Sequence, residues 1–166
     1  MREQIVDKKS YPDVVVQTDK RALNQLLRIY LGHNGKIAQC LFFVFGAMNC
    51  KKDNATNEFL LPITAVKVFH LTLFKKALYN LGQNVTFELD FKFDRDAFLV
   101  KAKLTPEKFL TDCVVNELCL IKELERARAK LDNVNVCEFL DSIIKDERSH
   151  LSAIEKKLSG LTSRKG

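Results

Sequence analysis

Apolar residues recur at intervals of three and four through most of the chain, which is the period of one helix face. Leu23, Leu26, Leu27 and Tyr30 make one such stripe, and it resumes at Ile37, Cys40, Phe43, Val44 and Ala47. Asp19 is placed as the N-cap. Between the two halves lies Gly32-His33-Asn34-Gly35, where two close glycines predict a kink or local unwinding. A second helix is predicted over roughly 57–81, with Leu60, Ile63, Lys67, His70, Phe74, Ala77 and Leu81 on its inner face. Pro62 falls near its start, where a missing N–H does least harm, and Gly82 is set to be the C′ residue. Thr105-Pro106-Glu107 supplies an N-cap, a proline at N1 and an acidic first turn for a third helix running to about Leu131. Its face is Leu110, Cys113, Glu117, Leu120, Ile121, Leu124 and Leu131. Asn135 with Glu138 reads as a capping box for a fourth helix, striped by Val136, Leu140, Ile143, Ile154 and Leu158 and stopped by Gly160.

Two stretches depart from this period. Residues 1–18 carry Tyr11-Pro12 and Val14-Val15-Val16, which predicts an extended arm lying on the helices. In residues 83–104, Val85, Phe87, Leu89, Phe91 and Phe93 alternate with polar residues, a strand period. That length also suits a crossover packed along a bundle, with Phe87, Phe91 and Phe93 turned inward or serving a dimer contact. The order is helix pair, long connection, helix pair. The expected fold is therefore all-α, an antiparallel four-helix bundle over residues 19–160 with one long crossover between helices 2 and 3, the ferritin-like arrangement. Residues 161–166 are expected to fray.

Composition narrows the class. The 166 residues suffice for one domain with a substantial core; 46% are apolar and 29% charged, the balance of a globular chain. No apolar run reaches the roughly 20 residues a membrane span needs. The start, Met1-Arg2-Glu3-Gln4, has no apolar signal core, so a cytoplasmic location is the default expectation. Five cysteines without a CxxC pair read as reduced thiols. The net charge of +6 could meet an anionic partner, but the lysines are scattered, and the absence of an Arg-rich or aromatic-basic run argues against nucleic acid.

The chemistry lies where polar residues interrupt the apolar stripes. Glu147 and His150 stand one turn apart in the gap of the fourth stripe; Lys67 and His70 do the same in the second, Glu117 sits in the third, and Lys36 lies beside the first. A buried ionised carboxylate is costly unless paired, so these six are expected to face one another.

Their order resembles the ferritin-like di-iron proteins, which supply Glu, then Glu-x-x-His, then Glu, then Glu-x-x-His from four successive helices. Glu147-x-x-His150 matches the last motif, Glu117 the third position and His70 the histidine of the second. Lys67 and Lys36 stand where the second motif's Glu and the first helix's Glu belong. Tyr30-Leu31-Gly32-His33-Asn34-Gly35-Lys36 resembles the Tyr-Ala-Gly-Pro-Asn-Gly-Glu segment of rubrerythrin-like and manganese-catalase-like proteins of Firmicutes, some of them spore-coat components. Asp146-Glu147-Arg148-Ser149-His150-Leu151 resembles their Asp-Glu-x-x-His-hydrophobic segment. The resemblance spans about Leu23 to Leu158 and implies a homodimer in the cytoplasm or spore.

The family's four carboxylates balance two divalent ions. Here Glu117 and Glu147 give −2, while Lys36 and Lys67 give +2 when protonated, so the set neutralises itself. An ammonium has no lone pair to donate and repels a cation. The expectation is a vestigial di-metal site with no cofactor and no catalytic residue, held by Lys67–Glu147 and Lys36–Glu117 pairs, in a structural or interaction protein. An alternative is an oxidoreductase of peroxidase, catalase or ferroxidase type, keeping one iron, manganese or zinc on His70, Glu117, Glu147 and His150. A thiol pair is a further candidate: Cys40 follows Lys36 by one turn and Cys113 precedes Glu117 by one turn, and both also read as small core residues. His33 reads as a surface or capping histidine. Tyr30 and Tyr79 lack the register of site residues, and Gly35 belongs to no phosphate loop.

Overall fold

The computed structural model describes residues 11–15, 17–49, 54–83 and 105–163. Among these there are five helices and no strand: α1 (Lys20–Leu31), α2 (Lys36–Asn49), α3 (Asn54–Asn80), α4 (Pro106–Arg128) and α5 (Val134–Thr162). Residues 84–104 of the expected 83–104 crossover, with its phenylalanines, lie outside the described residues, as do residues 1–10 and Val16 of the expected arm, Cys50 and the end of the expected tail. Among the described residues, no helix is long and apolar enough to cross a membrane.

The glycine pair divides the first stripe into two helices. Gly32 N–H still bonds Arg28 O, and Gly35 N–H turns back to Gly32 O at 2.7 Å. A Cβ on Gly35 would stand 2.4 Å from Ile29 O, so only glycine lets the chain double back this closely before Lys36 opens α2. At the other end of α1, Asp19 accepts from Ala22 N–H at 2.9 Å, as its sequence position predicts. The buried face of α1 is Ala22, Leu26, Ile29 and Tyr30, with Leu23 and Leu27 packed at its margin.

α3 ends in a Schellman motif. Gly82 has φ 91°, its N–H bonds Tyr79 O, and Gln83 N–H bonds Leu78 O. Its beginning corrects the expectation: the helix starts at Asn54, so Pro62 lies inside it. The proline is exposed, and its missing N–H removes one intrahelical bond on the solvent side. α4 opens as predicted, with Thr105 accepting from Lys108 N–H and Pro106 in the first turn. α5 departs from its predicted limits at both ends. Asn133, not Asn135, is the N-cap, accepting from Val136 N–H at 3.2 Å while its amide donates to Asp19 at 3.0 Å. One contact thus ties the caps of α1 and α5 together. Gly160 does not stop the helix, which continues to Thr162. Leu158 and Leu161 both pack on the core, and holding them there offsets the roughly 1 kcal/mol a helical glycine costs.

The apolar core is two clusters with a polar belt between them. One contains Leu26, Tyr30, Phe74, Leu78, Leu120, Leu124, Leu140 and Ile143; the other contains Phe43, Leu60, Ile63, Leu110, Cys113 and Ile154. Along α3 and α4 the chain passes from the second cluster to the first; along α1–α2 and α5 it passes the other way. α3 and α4 therefore run parallel to each other and antiparallel to the rest. The closest helix pairs are α4 with α5 and α2 with α3. Of the expected arm, residues 11–15 and 17–18 are described: Val14 is buried, and Asn80 Nδ2 donates to Val14 O at 2.7 Å.

Candidate functional site

All six residues singled out by the stripes are buried in the belt, each with 1% exposure or less. Four of the five helices contribute: Lys36 opens α2, Lys67 and His70 share one face of α3, Glu117 is at mid-α4, and Glu147 and His150 share one face of α5.

Glu147 is the hub. Lys36 Nζ donates to its Oε1 and Lys67 Nζ to its Oε2. His70 Nδ1 stands 3.0 Å from Oε1 and His150 Nδ1 3.3 Å from Oε2. Lys67 also donates to Glu117 Oε2 at 2.7 Å. Its ammonium is 2.6 Å from Glu117 Oε1 as well, but that oxygen receives no aligned hydrogen bond from the described residues. Lys67–Glu147 is thus one of the two expected pairs. The other is corrected. Lys36 does not reach Glu117; it meets Glu147 and His70 Nδ1, the latter at 2.9 Å. The Gly35 turn places Lys36 at the very start of α2, on the side facing α3 and α5, while Lys67 fills the space before Glu117. Aromatic faces line both ammonium groups, Phe43 at 4.9 Å from Lys67 Nζ and Phe74 at 5.8 Å from Lys36 Nζ.

Burial and mutual attraction divide the charges unequally. For Glu147, burial raises the carboxyl pKa, but Lys36 and Lys67 outweigh it and hold it well below its usual value. Glu117 has only Lys67 to offset burial, and repulsion from Glu147 adds to the rise, so its pKa is pushed up to about 8. Burial lowers the Lys36 pKa, and Glu147 only partly opposes it. Burial also presses on Lys67, but Glu117 and Glu147 together raise it above normal. His150 is lowered, chiefly by burial. Moving one proton from Lys36 to Glu117 leaves the four-residue sum at zero, so the cluster is balanced in either state.

Sequence reasoning missed a second layer. Asp146, 3% exposed, accepts from His70 Nε2 at 3.0 Å, and Tyr11 from the arm donates its hydroxyl to the same Asp146 oxygen. With Nε2–H committed to Asp146, His70 presents a lone pair at Nδ1 to Lys36. The available signal was the spacing Phe139, Ile143, Asp146, His150, which keeps the core period. Gln39 is also buried, its amide donating to Asn116 O at 2.9 Å. Cys40 and Cys113 are both buried, and burial raises the Cys40 pKa. His33 is exposed, Tyr79 is exposed, and Tyr30 is buried, its hydroxyl without a hydrogen-bond partner among the described residues.

One ligand atom each from Glu117, Glu147 and His150 lie within 4.8 Å of one another, a grouping that by distance could take a cation. The lysines do not fit a di-metal centre. Lys67 puts its hydrogens on both carboxylates of that group, and Lys36 covers the remaining oxygen of Glu147. No model of a known family, no curated protein and no solved structure matches the chain.

Proposed function

We propose that the chain is a ferritin-like, rubrerythrin-like protein in which two lysines stand where that family holds two metal ions, and that it serves as a non-catalytic structural or interaction protein. One observation carries the reading: the Lys67 ammonium, from α3, bonds Glu117 of α4 and Glu147 of α5 together, the link a bridging cation would make. The helix directions support it. α3 and α4 run parallel to each other and antiparallel to α1–α2 and α5, which are the helix directions of a ferritin-like bundle. The same resemblance makes the chain a homodimer in a bacterial cytoplasm or spore.

A second reading keeps one metal on Glu117, Glu147 and His150 with help from His70. The observation favouring it is His150 Nε2, buried with no hydrogen-bond partner among the described residues. It requires Lys67 to withdraw, leaving an amine among Phe43 and other apolar neighbours. Metal content of the purified protein, measured beside hydrogen peroxide turnover, separates the two. The expected result is metal far below one ion per chain and turnover at the buffer level. Stoichiometric iron, manganese or zinc that survives dialysis would overturn the metal-free reading.

A further inference from the structure

Lys36 and Glu147 meet in a setting that can do more than hold an ion pair. Both are buried, and they join the start of α2 to α5 across 111 positions of sequence. Lys36 Nζ contacts Glu147 Oε1. His70 Nδ1 stands 2.9 Å from that amine and 3.0 Å from the same Oε1. Asp146 takes the Nε2 hydrogen of His70 at 3.0 Å, which leaves the imidazole lone pair at Nδ1, facing both groups. A nucleophile beside an imidazole that a carboxylate orients is the arrangement that activates side-chain nucleophiles. The other carboxyl oxygen, Glu147 Oε2, receives a hydrogen bond from Lys67 Nζ and lies 3.3 Å from His150 Nδ1. Nucleophile, proton shuttle, electrophile and oxyanion donors are thus assembled around one carboxyl group. The Phe74 ring stands 5.8 Å from Lys36 Nζ, and apolar clusters close the belt on both sides.

We infer that Lys36 and Glu147 condense to an isopeptide bond that staples the start of α2 to α5. A proton first passes from the ammonium to Oε1 along their contact, giving amine and carboxylic acid. The Nζ lone pair then adds to Glu147 Cδ, and the charge that develops on Oε2 is met by Lys67. His70 Nδ1 takes a second proton from Nζ and delivers it to Oε1. The Cδ–Oε1 bond breaks, Oε1 leaves as water, and Oε2 becomes the amide oxygen. Of the three protons the ammonium held, the amide keeps one and the water takes two, so no other reactant is needed. The step replaces two buried charges by a neutral amide, which removes the cost of keeping them out of water. The fixed contact supplies the proximity that the same reaction lacks in solution. Before the bond forms, Glu147 is the carboxylate described above; afterwards Lys67 and Glu117 remain, and their charges still cancel. The inference rests on the metal-free reading, since a Glu147 that holds a metal is not free to react.

The wild-type chain decides. After prolonged incubation at physiological temperature and then denaturation, its intact mass is expected to be lower by one water. Trypsin should release residues 29–51 joined to residues 146–148, with Lys36 uncleaved. Lys36→Met should keep its full mass, and His70→Gln should slow the change about a hundredfold, the scale of one general acid–base group. A wild-type chain that keeps its full mass would overturn the inference, as would a water lost inside a single peptide or a link made through Lys67. If a variant does not fold, the wild-type mass and the joined peptide still give the answer. Metal content of the same sample separates this failure from that of the reading beneath it. Full mass without metal overturns the bond alone; full mass with stoichiometric metal overturns both.

Discussion

Replacing Glu147 with Gln would leave two buried lysines facing an amide that carries no charge. Removing one partner of a buried pair costs about 3–5 kcal/mol, and Glu147→Gln is expected to lower stability by that amount in urea unfolding. Glu117→Gln should cost about 1 kcal/mol or less below pH 7, because Glu117 with its pKa pushed up to about 8 already carries a proton there. The same shift sets a pH dependence. An unfolded Glu ionises near 4.5, so between 4.5 and about 8 the folded chain holds one proton that the unfolded chain has lost. Stability from this group is complete below 4.5 and declines as pH rises toward 8. Unfolding midpoints of wild type relative to Glu117→Gln should fall across that window. Glu147 acts in the opposite sense: its folded pKa is depressed, so its contribution is present above 4.5 and is lost as pH falls further. Five of the belt residues were legible because each interrupts an apolar stripe at helical spacing, and Lys36 because it directly follows the glycine pair beside one. Asp146 was hidden because an acidic residue beside Glu147 looks like a solvated neighbour, and its partner Tyr11 is 135 residues away. The exchange of partners by Lys36 was equally hidden, since spacing says which face a side chain takes but not which of two carboxylates its long stem reaches.

At the scale of the helices, local signals held where the backbone itself decides and failed where packing does. The Asp19 and Thr105 caps and the Gly82 terminus follow from side-chain oxygens near free N–H groups and from a positive φ. Asn135 and Gly160 carry comparable local signals, but both are overridden. Asn133 caps instead, its side chain reaching both Val136 N–H and the Asp19 carboxylate, and Leu161 packs on the core beyond Gly160. The break between α1 and α2 combines both influences. Gly35 sits against the carbonyl of Ile29 and the backbone of Gly32, atoms that cannot rotate away. Gly35→Ala is therefore expected to cost about 1–3 kcal/mol, the range for overpacking against rigid neighbours. It should also displace Lys36, which follows directly. A thermal midpoint equal to wild type would mean that the turn is looser than its hydrogen bonds indicate.

For the whole molecule, the position of the belt matters more than its composition. Apolar clusters close it on both sides along the helix axes, so its charges interact in a low effective dielectric, and an imbalance there is felt by all four walls. That makes the exchange of lysine for carboxylate a two-state choice. With Lys36 and Lys67 present the belt is neutral without a cation. With Glu at both positions it carries four carboxylates and two imidazoles, and folding then depends on divalent ions. The double variant Lys36→Glu with Lys67→Glu is thus expected to be less stable than wild type when apo, and to regain stability as iron(II), manganese(II) or zinc(II) is added. At an ion concentration a hundred times the dissociation constant, binding contributes about 2.7 kcal/mol. That is a rise of roughly 5–10 °C in thermal midpoint for a chain of this size. The wild-type midpoint should stay where it is over the same titration. If the double variant folds by circular dichroism but shows neither a metal-dependent midpoint nor bound metal, Lys36 and Lys67 do not occupy ligand positions. The belt would then be an ion-pair network that arose without a metal-binding ancestor.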